Sequence, residues 1–142
     1  MKFTLGNQYL DGAVSLLRRM PLAGYQSMAR SRFIRIFKEP VQALVDARQD
    51  LISEYSVLDD NGKPVIEGDH YKLRPDATAE YNEAYTKLMN EDAEIDKATY
   101  TTHMKDIQDV LKNCKLELSG DEATIYAALC DALDVFEEKE GK

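Results

Sequence analysis

Apolar residues recur at spacings of three and four along most of this chain, the period that keeps side chains on one face of a helix. Two such stripes frame the centre, at 40–96. Val41, Leu44, Val45, Leu51, Ile52 and Tyr55 line the first; Tyr81, Ala84, Tyr85, Leu88 and Met89 line the second. Two apolar faces of this kind cover each other most simply as an antiparallel helical hairpin, with Leu51 and Leu88 on facing stripes. Upstream, Tyr9, Leu10, Ala13, Val14, Leu16, Leu17 and Met20 predict a first helix that Pro21 stops, with Gly12 an unfavourable interior residue. Residues 25–38 read as a second helix. Pro40 then either opens a new helix in its first turn or kinks a long one.

Between the two central stripes the pattern changes. Asp59-Asp60-Asn61-Gly62 holds the residues that reach positive φ most easily, so a tight turn is expected there. Val65 and Ile66, then Tyr71 and Leu73, flank Gly68-Asp69 and predict a small β-hairpin over about 58–74. Pro75 closes it and Asp76 is placed to cap the next helix. Thr101 or Thr102 is placed to cap a helix carrying Met104, Ile107, Val110, Leu111 and Cys114. Ser119-Gly120-Asp121-Glu122 matches a capping box for a last helix bearing Ile125, Tyr126, Leu129, Cys130, Leu133 and Phe136. The charged residues 137–142 are expected to fray. The fold class that results is mainly α: a single domain over 1–142, about five helices around a central helical hairpin, with one small β-hairpin.

Composition narrows the function classes. With 142 residues, 44% hydrophobic and 31% charged, the chain is expected to be a soluble domain with an adequate core. No signal peptide is predicted, and no segment is apolar enough to span a bilayer, so a cytoplasmic location and no membrane partner are expected. The net charge of −8 disfavours adhesion to nucleic acid. That charge is uneven. Residues 18–48 hold seven basic side chains against Glu39 and Asp46, a balance of +5 that leaves −13 for the rest.

The central pattern resembles a known family. Glu54-Tyr55, Asp59-Asp60-Asn61-Gly62-Lys63-Pro64, Asp69-His70-Tyr71-Lys72, Glu80-Tyr81, Leu88 and Glu94-Ile95-Asp96 are similar to small uncharacterised proteins of phages and prophages of low-GC Gram-positive bacteria. Ala29-Arg30-Ser31-Arg32-Phe33 and Leu116-Glu117-Leu118-Ser119-Gly120 are similar to the same family. The resemblance implies a phage origin and a helical fold. It supplies no catalytic residues, because the family is a domain of unknown function.

Catalytic and metal-binding patterns are weak. A calcium loop would need an acidic ligand five positions before Gly62 and a glutamate six after it, where Val57 and Gly68 stand. Glu91, Asp92, Glu94 and Asp96 form an acidic run with no paired motif, which leaves a metal-dependent enzyme as the least favoured reading. His70 and His103 belong to no zinc or triad signature and are expected at the surface or its boundary. Cys114 and Cys130 suit neither a metal cage nor a disulfide framework and are expected to be buried free thiols. No catalytic residue and no cofactor is therefore assigned.

The candidate partner-binding residues are Arg30, Arg32, Arg35 and Lys38. On a regular helix Arg35 and Lys38 share a face, while Arg30 and Arg35 lie on opposite sides of Arg32. These cations either neutralise acidic neighbours within the chain or meet an acidic partner. The expected role is a non-enzymatic phage accessory protein acting through protein–protein contact, in virion assembly or on a host factor, with homo-oligomers allowed. The alternative is an acidic inhibitor of a host defence or nucleic-acid-binding protein, whose negative surface imitates phosphate.

Overall fold

The computed structural model describes residues 2–136, so the tail expected to fray lies outside the described residues. Those residues form six α-helices and two small antiparallel sheets, mainly α as the periodicity predicts. In chain order these are β1 (Phe3–Gly6), a 3₁₀ turn (Asn7–Tyr9), α1 (Leu10–Arg19), α2 (Gly24–Ile36) and α3 (Lys38–Tyr55). Then follow β2 (Ile66–Glu67), β3 (His70–Tyr71), α4 (Thr78–Met89), β4 (Asp92–Ile95), α5 (His103–Lys112) and α6 (Asp121–Ala132). Contacts divide the chain into two units, one holding the chain up to Val41 and from Asp92 onward, the other Gln42–Glu91.

The first unit carries the larger core. Leu10, Ala13, Leu16 and Leu17 of α1 are buried, three and four apart, and α1 packs on α2 and α6. Ala29, Phe33 and Ile36 bury one side of α2, which lies against α5 through Ile107, Val110 and Leu111. Each such side chain, taken fully from water, stabilises by roughly 1.5–3 kcal/mol before entropy is subtracted. Phe3, Phe33 and Phe37 form an aromatic cluster with ring centroids 5.2–6.3 Å apart.

Phe3 reaches that cluster from a strand that helical periodicity does not reveal. β1 pairs antiparallel with β4, in the register Phe3↔Ile95, Thr4↔Glu94, Leu5↔Ala93 and Gly6↔Asp92. Phe3, Leu5 and Ile95 face inward, and Thr4, Asp92 and Glu94 stay exposed, as the two-residue period of a strand requires. The acidic run at 91–96 is therefore the outer edge of a strand and not a charged helix end.

Helix ends correct several expectations. Pro40 is the third residue of α3, where its missing N–H has no intrahelical acceptor to lose, so a new helix begins there. The capping box at Ser119 is not formed. Gly120, at φ 57, holds the N-cap position itself, and no side-chain cap bond is made. That places Ser119 one residue too far out, and Glu122 pairs with Arg19 instead. Asp76 likewise does not cap α4, which starts after Ala77. Thr102 is at the N-cap of α5, but its hydroxyl donates to Asp106 Oδ2 (3.1 Å) rather than accepting an amide.

The second unit contains the expected hairpin. Ile66↔Tyr71 and Glu67↔His70 pair across Gly68-Asp69, and the ribbon extends through bridges at Ser56↔Leu73 and Leu58↔Pro64. Asp59 Oδ1 accepts the amides of Asn61 and Lys63, both at 2.9 Å, and Gly62 takes φ 78. Asp59-Asp60-Asn61-Gly62 is thus a self-satisfied polar turn. Tyr55 of α3 meets Tyr81 of α4 edge-on at 6.3 Å, and within α4 Tyr81 stacks on Tyr85 at 6.0 Å. Leu51 and Leu88 are only half-buried, and Leu44 is the buried aliphatic side chain of this part of α3.

Candidate functional site

The four candidate cations are not one patch. Arg30 turns inward to the end of α1, where its guanidinium donates to the carbonyls of Leu17 (3.3 Å) and Met20 (2.5 Å) and to Ser27 Oγ (3.4 Å). The last carbonyls of a helix have no partner within it, so this arginine is a structural cap.

Arg35 and Lys38 meet across the break between α2 and α3. With Arg18 they border a cleft of about 500 Å³, also lined by Asp11, Val14, Ser15, Ile34, Phe37 and Val41. Val14, Ile34, Phe37 and Val41 give it an apolar floor. Arg18, Arg35 and Lys38 are exposed, and among the described residues none of the three forms an ion pair. Asp11 is the lone acidic residue of the lining. Sequence reasoning counts Arg18 within the basic segment but leaves it out of the candidate set, because its helix is a separate one. Only the packing of α1 on α2 brings it alongside Arg35.

Arg32 faces a different neighbourhood. Its guanidinium lies over the Tyr100 ring, 4.5 Å from the centroid. Tyr100 in turn stacks on the His103 imidazole at 4.8 Å and 14° between planes, and the edge of Phe33 closes the column at 6.0 Å. His103 is 1% exposed, against the expectation of a surface or boundary histidine. The missed signal is its place four residues before Ile107, on the buried stripe of α5. Burial pushes its pKa down, opposed by the Asp106 carboxylate. The amide of Thr99 donates to His103 Nδ1 at 3.4 Å, which assigns the ring proton to Nε2. Asp106 is itself held below the usual carboxylate range, chiefly by the Tyr25 hydroxyl donating to Oδ2 at 2.6 Å. Burial, then Asp106, raises the Tyr100 phenol.

Other sequence candidates stay apart. His70 is exposed in the hairpin, and Asp92 and Glu94 are spread along β4. Among the described residues no three His, Cys, Asp or Glu side chains are grouped to hold a metal ion. Cys130 is buried and Cys114 half-buried, both as free thiols. No helix of the described residues is long and apolar enough to cross a membrane. Compared with known proteins, the chain matches no family model, no curated protein and no solved structure.

Proposed function

We propose that this chain is a non-enzymatic phage accessory protein that binds an acidic, amphipathic segment of a protein partner in the cleft between α1 and α2. The observation that carries this reading is the pairing of an apolar floor with three cations, Arg18, Arg35 and Lys38, that form no ion pair among the described residues. An apolar side chain of the partner fills the floor, and carboxylates on either side of it meet the cations. Charge complementarity of this kind steers encounter and sets orientation, while the desolvated centre supplies most of the affinity. Phage origin and work in the cytoplasm of an infected host rest on the resemblance drawn from the central turn and hairpin residues.

Nucleic acid fits the same surface poorly. Few phosphates can be neutralised by three cations, and a chain of net charge −8 repels the rest of a duplex. Fluorescence anisotropy with two labelled probes at about 0.15 M salt separates the readings. One probe is a helical peptide of alternating glutamate and leucine faces, the other a DNA duplex. The peptide is expected to bind and to weaken about a hundredfold in the Arg18→Ala/Lys38→Ala variant, the loss of two charge-assisted contacts at about tenfold each. Submicromolar duplex binding with no peptide binding would overturn the proposal.

A further inference from the structure

Arg32 and Arg35 stand three residues apart on α2, on one face, and with Thr99 and Tyr100 they line a second cleft of about 280 Å³. A cleft of that size can admit one small anion. All its lining residues are cationic or neutral hydrogen-bonding groups; no carboxylate is among them. Asp106 accepts the hydroxyls of Tyr25 and Thr102 through Oδ2 and bears on Tyr100, outside the lining of the cleft.

The Arg32 side chain is already held in place. Its guanidinium carbon lies 4.5 Å from the Tyr100 ring centroid, and Tyr100 stacks in turn on buried His103. A guanidinium over a ring presents N–H donors at its edge to an oxyanion, and part of the Arg32 donor set also bears on the Tyr100 hydroxyl. The loop that supplies Thr99 and Tyr100 is tied to the same histidine through the Thr99 amide. Arg35 is exposed and has no ion-pair partner among the described residues.

From this arrangement we infer that the Arg32–Arg35–Thr99–Tyr100 cleft binds a phosphate-type dianion, either a free phosphate compound or a phosphoryl group on a side chain. Two guanidinium forks match the two charges of a phosphate dianion, and the Thr99 hydroxyl offers a further donor. A carboxylate would occupy one fork and leave the other unpaired, so it should bind more weakly. The inference goes beyond the peptide cleft and shares only Arg35 with it. Lys38→Ala therefore tests the peptide reading alone, and Arg32→Lys tests the dianion alone.

The experiment is a titration with inorganic phosphate at constant ionic strength, followed by the amide NMR shifts of Thr99 and Tyr100. Saturable shifts are expected, with acetate at least tenfold weaker. Arg35→Ala should weaken phosphate about tenfold or more. Arg32→Lys, which keeps the charge but loses the fork, should do the same, and Lys38→Ala should leave phosphate binding unchanged. O-phosphoserine and adenosine monophosphate are titrated in parallel; the tighter of the two names the carrier of the phosphoryl group. Phosphate acting no better than acetate, or binding Arg35→Ala and Arg32→Lys as well as the parent, would sink the proposal.

Discussion

The phenol ring of Tyr100 lies on the imidazole of His103, with centroids 4.8 Å apart and planes at 14°. This stack joins the surface guanidinium of Arg32 to the Phe33 cluster in the core. A buried histidine in such a place has consequences for stability. Its folded pKa is pushed down by burial, so the unfolded chain takes up the proton first as pH falls. The stabilisation is complete above the unfolded value of about 6.5 and is lost as pH drops towards the folded pKa. Urea midpoints measured across that window should decline below about pH 6.5. His103→Phe, which keeps a flat ring over Tyr100, should remove this limb. An identical decline in the variant would assign it to other groups; Asp106, whose pKa is also lowered, acts in a lower window near and below its ordinary value.

Gly12 explains itself through Ile125. A Cβ at Gly12 would overlap Cδ1 of Ile125 and stand 3.2 Å from its Cγ1. An interior helical glycine costs about 1 kcal/mol against alanine, and here that cost permits α1 and α6 to approach. Gly12→Ala should nevertheless destabilise by about 1 kcal/mol net, since overpacking a contact of this kind costs about 1–3 kcal/mol. In an Ile125→Val background, where Cδ1 is gone, the same substitution should become neutral or stabilising. A double-mutant cycle by chemical denaturation measures this. Additivity of the two changes would show that the glycine has another purpose.

Local features of the fold were legible. The stripes of α1, α2, α5 and α6, the Asp59–Gly62 turn and the hairpin around Gly68 all depend on residues close in sequence. What escaped depends on residues far apart. β1 is four residues long and pairs with a strand whose outward positions are acidic, so its two-residue period shows only beside its partner. Arg18 joined Arg35 and Lys38 only through helix packing. Arg30 is expected to meet an acidic neighbour or an acidic partner, because nothing local shows that the end of α1 needs a donor. His103 is expected at the surface or its boundary because its residue type outweighs its position on a buried stripe.

Both ends of α6 demand positive φ, and different residue types meet that demand. At the start, Gly120 takes φ 57; at the finish, Asp134 takes φ 56, a left-handed conformation that costs most side chains. Val135 N–H bonds to the Cys130 carbonyl at 3.0 Å and Asp134 N–H to that of Asp131 at 3.3 Å, closing a Schellman turn with Val135 and Cys130 buried. Asp134→Gly should raise stability by about 0.5–1 kcal/mol, helped by removing an anion from a helix C-terminus. Gly120→Ala should lower it by about 1 kcal/mol. Ser119→Ala should change it by less than about 0.5 kcal/mol, because no cap bond is there to lose. Thermal melting of the three variants orders them. A Ser119→Ala loss as large as that of Gly120→Ala would restore the capping box.

Leucine truncations should separate the two units by burial. Leu129 of α6 is fully buried, beside Leu133 and Cys130, so Leu129→Ala should cost about 2–5 kcal/mol, the transfer term plus the cavity it leaves. Leu51 of α3 is half-buried, and the ring contact from α3 to α4 is that of Tyr55 on Tyr81. Less apolar area is taken from water there, so Leu51→Ala should cost nearer 1 kcal/mol. Tyr81→Ala, which removes both ring contacts at once, should exceed it. Guanidinium denaturation of each variant gives the comparison, and a Leu51 loss equal to that of Leu129 would mean that α3 and α4 close over an aliphatic core.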